Sequence, residues 1–217
     1  LGVQSANQYR DVERSVDSGG IEVARTPERM DEFQRRMTSA KAWGVEAELL
    51  TPAQVKELVP FINENVILGG FSCPSVSVVD SLDTGTLFRN EAIEKTGLKV
   101  FANTEVLDVE TEDEPGTGLQ KVTAVVTDKG RIEAEYVVVA CGVWSNRIAN
   151  MAGATIPLVP AVHQMADVGP MDILAETQSE ISYPIVRDMD TFCYERQSSG
   201  SMEVGSYAHR PILHHPD

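Results

Sequence analysis

Nowhere in the 217 residues does a Gly-x-Gly-x-x-Gly open a strand, turn and helix, so the chain carries no phosphate cradle of its own. Cysteine is scarce: Cys73, Cys141 and Cys193 stand far apart, with no Cys-x-x-Cys spacing. An odd count of that kind, without a targeting segment, predicts free thiols in a reducing compartment, the cytoplasm. His163, His209, His214 and His215 share no ligand spacing with them, which predicts no metal site. No apolar run has the length that crosses a membrane, and Leu1–Arg10 lacks the pattern of a signal peptide. Basic residues number 18 against 33 acidic ones, and the formal net charge of −15 disfavours nucleic acid, whose phosphates demand a basic surface. An initiator methionine is missing too. With the absent glycine fingerprint, this is what an internal piece of a longer protein would show.

What is present is ordinary globular material, 42% hydrophobic and 24% charged. The length suits one large domain or two small ones, at roughly 100–200 residues per domain. Thr26, Pro27 and Glu28 predict a helix start, and Met30, Phe33, Met37, Ala40 and Trp43 follow at helical spacing as a core face, with Gly44 placed to end it. Arg35 and Arg36 lie off that stripe and read as solvated. Thr51, Pro52 and Gln54 repeat the start signal as a capping box, for a short helix ending before Pro60. A third helix is predicted from about Leu82 to Thr96, with Leu87, Ala92 and Ile93 inward and Gly97 as its cap. Leu98–Ala102 and Glu105–Glu110 read as strands.

The stretch 119–145 is the most organised. Two strands flank a turn at Asp128, Lys129 and Gly130, and Tyr136–Ala140 is an unbroken apolar run that suits a strand buried on both faces. It stops at Cys141 and Gly142, small residues where backbone can approach a flat or phosphorylated ligand, followed by Trp144 and Ser145. Beyond them, Thr155–Val168 is extended but broken by Pro157 and Pro160. Tyr183–Arg187, Phe192–Arg196 and Met202–Tyr207 are strands, and Pro211–Asp217 looks cut within an element. The fold class predicted is α/β, or α+β, with a mostly antiparallel sheet and flanking helices.

Several of these phrases together resemble one family. Ile21–Met30, Trp43–Leu50, Val137–Ser145, Pro157–Gln164 and Gly205–Pro211 are similar to the dimethylglycine oxidase and sarcosine dehydrogenase group of FAD-dependent enzymes, within the D-amino-acid-oxidase superfamily. The resemblance covers most of residues 19–211. It implies a discontinuous FAD-binding domain whose glycine fingerprint lies upstream and whose closing segment lies downstream, so the chain's partner is the remainder of its own FAD domain. Residues 1–97 would supply mainly substrate-domain strands and helices with one helix returning to the FAD domain, 98–150 the C-terminal part of the FAD domain, and 151–217 the substrate-binding sheet. A tetrahydrofolate-binding domain, present in many members, would also lie outside the chain.

Carried over position by position, the resemblance implies that the Val106 backbone holds the adenine and that Ala140, Cys141, Gly142 and Trp144 lie beside the dinucleotide. His163 matches an active-site histidine on the roof of the substrate pocket. Relatives often carry two consecutive tyrosines where this chain has Cys193 and Tyr194. The first tyrosine of that pair is the functional one in dimethylglycine oxidase, which would put Cys193 at the catalytic position and remove the phenol; a one-residue slip of register restores it as Tyr194, and Tyr194 is taken as the catalytic candidate. The implied function is oxidative demethylation of an N-methylated glycine, dimethylglycine or sarcosine, and the piece alone would be inactive. Removing hydride from such a carbon requires a neutral amine, because an ammonium has no lone pair to form the iminium. A histidine hydrogen-bonded to a phenol is suited to take up that proton. A substrate carboxylate would want a guanidinium, for which Arg187, Arg196 and Arg210 are candidates. Two rival readings remain open, a related amine or amino-acid oxidase and a non-catalytic binding module.

Overall fold

A computed structural model describes residues 2–11, 15–177 and 179–215. In chain order its elements are α1 (Gly2–Asp11), β1 (Ser15–Asp17), β2 (Gly20–Ala24), α2 (Pro27–Ala42), β3 (Glu48–Leu50), α3 (Pro52–Leu58), β4 (Gly69–Cys73), β5 (Ser77–Val79) and α4 (Ser81–Thr96). There follow β6 (Val106–Asp113), β7 (Gln120–Thr127), β8 (Gly130–Glu133), α5 (Ser145–Met151), β9 (Ala161–Val162), β10 (Met165–Val168), β11 (Ile185–Asp188), β12 (Cys193–Ser198), β13 (Ser201–Ser206) and β14 (Ile212–Leu213). The chain divides into two units, Leu1–Thr96 with Gln164–Arg210, and Gly97–His163 with Pro211–Asp217. The expectation about Pro211–Asp217 extends to residues 216–217, which lie outside the described ones.

The first unit is built on a seven-stranded sheet in the order β10-β13-β12-β11-β2-β4-β3. Neighbours are antiparallel except β11 and β2, which run parallel. Because side chains alternate along a strand, β2 serves both faces. Ile21 and Val23 point into one core with Val55, Val59, Leu50, Ile67 and Val186. Ala24 joins Phe33, Ala40 and Phe71 in the other. α3 therefore covers one face and α2 the opposite one. Gly70 explains the close seat of α3: a Cβ there would sit 2.9 Å from Val55 Cγ2.

The two helices begin as their sequences dictate. Thr26 accepts from the Arg29 N–H with Pro27 in the first turn, and Thr51 and Gln54 cap each other reciprocally. Gly44 and Gly97 adopt positive φ just past α2 and α4. Trp43 departs from expectation. As the C-cap of α2 it leaves the apolar stripe and is 76% exposed. Arg36 departs in the other direction, half-buried against the sheet. Ile93 is 44% exposed, since α4 buries only Thr84. α1 was not legible in its polar sequence.

In the second unit β6, β7 and β8 form the predicted antiparallel meander, closed by the turn at Asp128–Gly130. β9 pairs with β14. The apolar runs Leu98–Ala102 and Tyr136–Ala140 are not strands, and Tyr136 and Val138 are 87% and 88% exposed. A strand requires partners for its backbone N–H and C=O groups, and no described segment pairs with either run.

One carboxylate ties the β11–β12 connection to α2. Asp190 accepts from the Arg25 N–H at 2.7 Å and from Arg29 Nε at 3.1 Å. Burial works to raise its carboxyl, but these donors and the Arg29 charge prevail and hold it below the ordinary range. A carboxylate depressed in this way stabilises the fold above its unfolded value of about 3.9 and loses that contribution as pH falls through its lower folded value. Asp190→Asn should accordingly lower Tm at pH 7, and the deficit should shrink below about pH 4. Thermal melts of both proteins across that range check this, and a pH-independent deficit would contradict it.

Candidate functional site

β12 carries the candidate side chains, and its alternation separates them. Cys193, Glu195 and Gln197 face the α3 side, while Tyr194 and Arg196 face the other. Tyr194 lies between Gly205 of β13 and Arg187 of β11 as cross-strand partners. Its ring crosses directly over Gly205, where an added Cβ would meet Tyr194 Cζ at 2.1 Å and Oη at 2.2 Å. The Tyr207 ring packs beside it at 5.2 Å between centroids. Burial first, then Tyr207 and Glu203, raise the Tyr194 phenol above its usual value. It stays protonated near neutral pH, which keeps its O–H able to donate.

Cys193 on the reverse face donates to the Thr191 carbonyl at 3.5 Å and lines a cavity of about 300 Å3 with Glu195, Asp188 and Arg25. Burial, and then Asp188, raise the Glu195 carboxyl. His163 belongs to the second unit, exposed at the link between β9 and β10 rather than within a strand.

The three candidate arginines differ in what they already hold. Arg196 gives Nε to Glu203 at 2.9 Å and has Glu180 at 3.7 Å. Arg210 is exposed outside any strand. Arg187 approaches Glu22 only at 3.8 Å. Glu22 is a residue that the sequence did not single out. Its carboxylate takes two 2.8 Å hydrogen bonds from Arg36, whose guanidinium lies 4.7 Å from the Phe71 ring centroid. Burial pushes the Glu22 carboxyl up, but Arg36, Arg187 and Arg29 outweigh it and keep it ionised below the usual range. The signal was present in the alternation of β2, which put Glu22 on a half-buried face where a lone charge needs a partner.

The residues implied to touch FAD all lie in the second unit. Val106 opens β6, half-buried and opposite Thr127. Ala140 and Cys141 are exposed, and Trp144 is 53% exposed. Gly142 has φ +54°, and nothing lies within 4 Å of where its Cβ would be. Bare backbone and uncovered apolar side chains fit the flank of a planar ligand. They do not supply its phosphate site, and no glycine-rich strand–turn–helix occurs in the chain. Among the described residues no cluster could hold a metal ion, and no helix is long and apolar enough to cross a membrane.

The Tyr194–Gly205 crossing is testable as a pair. Gly205→Ala should cost about 1–3 kcal/mol through overpacking, while in a Tyr194→Ala background the same change should cost much less. Denaturant unfolding of the four proteins measures the coupling, and additive costs would contradict the crossing.

Comparison with known proteins places this geometry. Sarcosine dehydrogenase of Mus musculus mitochondria is 31% identical over 200 residues, covering 91% of this chain and 21% of that protein. The mitochondrial pyruvate dehydrogenase phosphatase regulatory subunit of the same organism is 28% identical over 196 residues, covering 89% of this chain and 21% of that one. The chain thus spans about a fifth of the length of these relatives. Among solved structures, L-proline dehydrogenase from P. horikoshii superposes with a TM-score of 0.82 at 24% identity, over 96% of this chain and 54% of that one, so the fold is shared. All of residues 1–217 match one family, and the chain belongs to it: the DAO family of FAD dependent oxidoreductases.

Proposed function

We propose that the protein carrying this chain oxidatively demethylates an N-methylated glycine, sarcosine or dimethylglycine. The observation that carries the reading is the 31% identity to a sarcosine dehydrogenase across 91% of the chain, within a family of FAD dependent oxidoreductases. FAD, where bound, supplies the two-electron acceptor. The residues of this chain do the remaining work. His163 takes up or relays the proton that the amine must lose before its methyl carbon gives up hydride. Tyr194, a neutral phenol lying across Gly205, donates a hydrogen bond that orients the amine. The oxidised substrate is an iminium, and addition of water releases formaldehyde and the demethylated amine.

Val106, Ala140, Cys141, Gly142 and Trp144 form the flank of the cofactor site in this reading, and the rest of the FAD domain completes it. That completion would also give the unpaired runs Leu98–Ala102 and Tyr136–Ala140 their partners. A tetrahydrofolate domain, if the protein has one, lies outside this chain. The identity to a phosphatase regulatory subunit supports a second reading, a family member turned to binding.

The test uses the full-length protein. Reduction of bound flavin should be fast with sarcosine or dimethylglycine and slow with D-amino acids. His163→Ala should slow it by about 10²-fold or more. Tyr194→Phe should slow it less. Equal rates for His163→Ala and the unaltered protein would overturn the assigned roles, and a flavin that N-methylated glycines never reduce would overturn the substrate.

A further inference from the structure

A cavity of about 590 Å3 lies between α2 and the face of the sheet that carries Glu22 and Phe71. Its volume is in the range of small-molecule sites, about 300–1,000 Å3. Tyr194 and Cys193 do not line it. Its walls are apolar, with Phe71, Val45, Val76 and Ile185 among them, and its charged groups are Arg36, Arg187 and Glu22.

Those charges do not cancel. Arg36 is spent on both oxygens of Glu22 and is spread over the Phe71 ring, so that pair is fixed in place. Arg187 stays 45% exposed, 3.8 Å from Glu22, and its other contact is the Met189 sulfur at 3.8 Å. Among the described residues most of its guanidinium donors therefore remain available, in a fork that matches a carboxylate. Two guanidiniums against one carboxylate leave one positive charge in the cavity of a chain whose formal net charge is −15. Trp43 adds a second anomaly. It lines the same cavity yet is 76% exposed, an uncovered indole at the mouth of an apolar wall.

We propose that this cavity binds a monocarboxylate with an apolar body, the carboxylate held by Arg187 and the body lying against Trp43 and the Phe71–Ile185 wall. A dianion such as phosphate would be poorly served, because Glu22 stands beside the anchor. A cation would meet the surplus positive charge. The proposal does not depend on the flavin chemistry, and its test reads neither flavin reduction nor turnover.

The probe is 3-phenylpropionate, compared with 3-phenylpropanamide of the same shape but no charge. Calorimetric titration of the full-length protein should show saturable binding of the acid, at least ten-fold tighter than the amide. Tryptophan fluorescence should shift with the same midpoint, and Trp43→Phe should remove that shift. Arg187→Gln should bring the acid down to the level of the amide. Should that variant not fold, Arg187→Lys, with its charge but without the fork, should give an intermediate affinity. Equal binding of acid and amide, no binding of either at millimolar concentration, or an unchanged acid-to-amide ratio in the Arg187 variant would each overturn the proposal.

Discussion

The carboxylate of Glu22, sandwiched between Arg36 and Arg187, is the interaction on which the first unit turns. It sits on β2, the strand whose two faces feed both cores, and it receives a bidentate guanidinium from α2. Removing one partner of a buried pair leaves the other uncompensated, at about 3–5 kcal/mol. The cost is lower here because the Arg36 side chain keeps 36% of its exposure. The pair also has a geometric consequence. It lays Arg36 across Phe71, which carries its guanidinium into contact with the aromatic pair formed by Phe33 and Phe71. Arg187, drawn toward the same carboxylate but not closed on it, is left facing the cavity with its donors unspent.

The same sheet sets the order of the candidate catalytic groups. Its alternation decides which of Cys193 and Tyr194 shares a face with Arg187, and the bare Gly205 decides how Tyr194 lies. A phenol flat over a neighbouring strand has little freedom to swing. Its pKa, raised by burial and by Tyr207 and Glu203, suits a fixed donor and not a base. Asp190 adds a second tether, joining the turn before β12 to the start of α2.

Signals with local causes were legible. The caps at Thr26 and Thr51, the meander turn at Asp128–Gly130 and the three strands around Tyr194 are each specified by a few adjacent residues. Features that depend on distant partners were not. Arg36 reads as solvent-exposed from its helix position alone, because nothing nearby in sequence announces Glu22. Trp43 fits the apolar stripe by spacing but falls one residue past the last helical turn. Tyr136–Ala140 has the composition of a buried strand, and composition cannot supply the neighbouring strands that would bury it. The packing of Gly205 under Tyr194 belongs to the same class, since a glycine in a strand announces a close approach without saying to what. His163, an exposed residue at a strand junction, derives its candidacy from family resemblance and not from any geometry within its own unit.

The central claim is that this chain is part of a flavin-dependent oxidoreductase of N-methylated glycines. The most direct measurement is the visible absorbance spectrum of the purified full-length protein, before and after anaerobic addition of sarcosine. The account predicts an oxidised flavin band that the amine bleaches. A colourless protein, or a flavin band that neither sarcosine nor dimethylglycine alters, would contradict it.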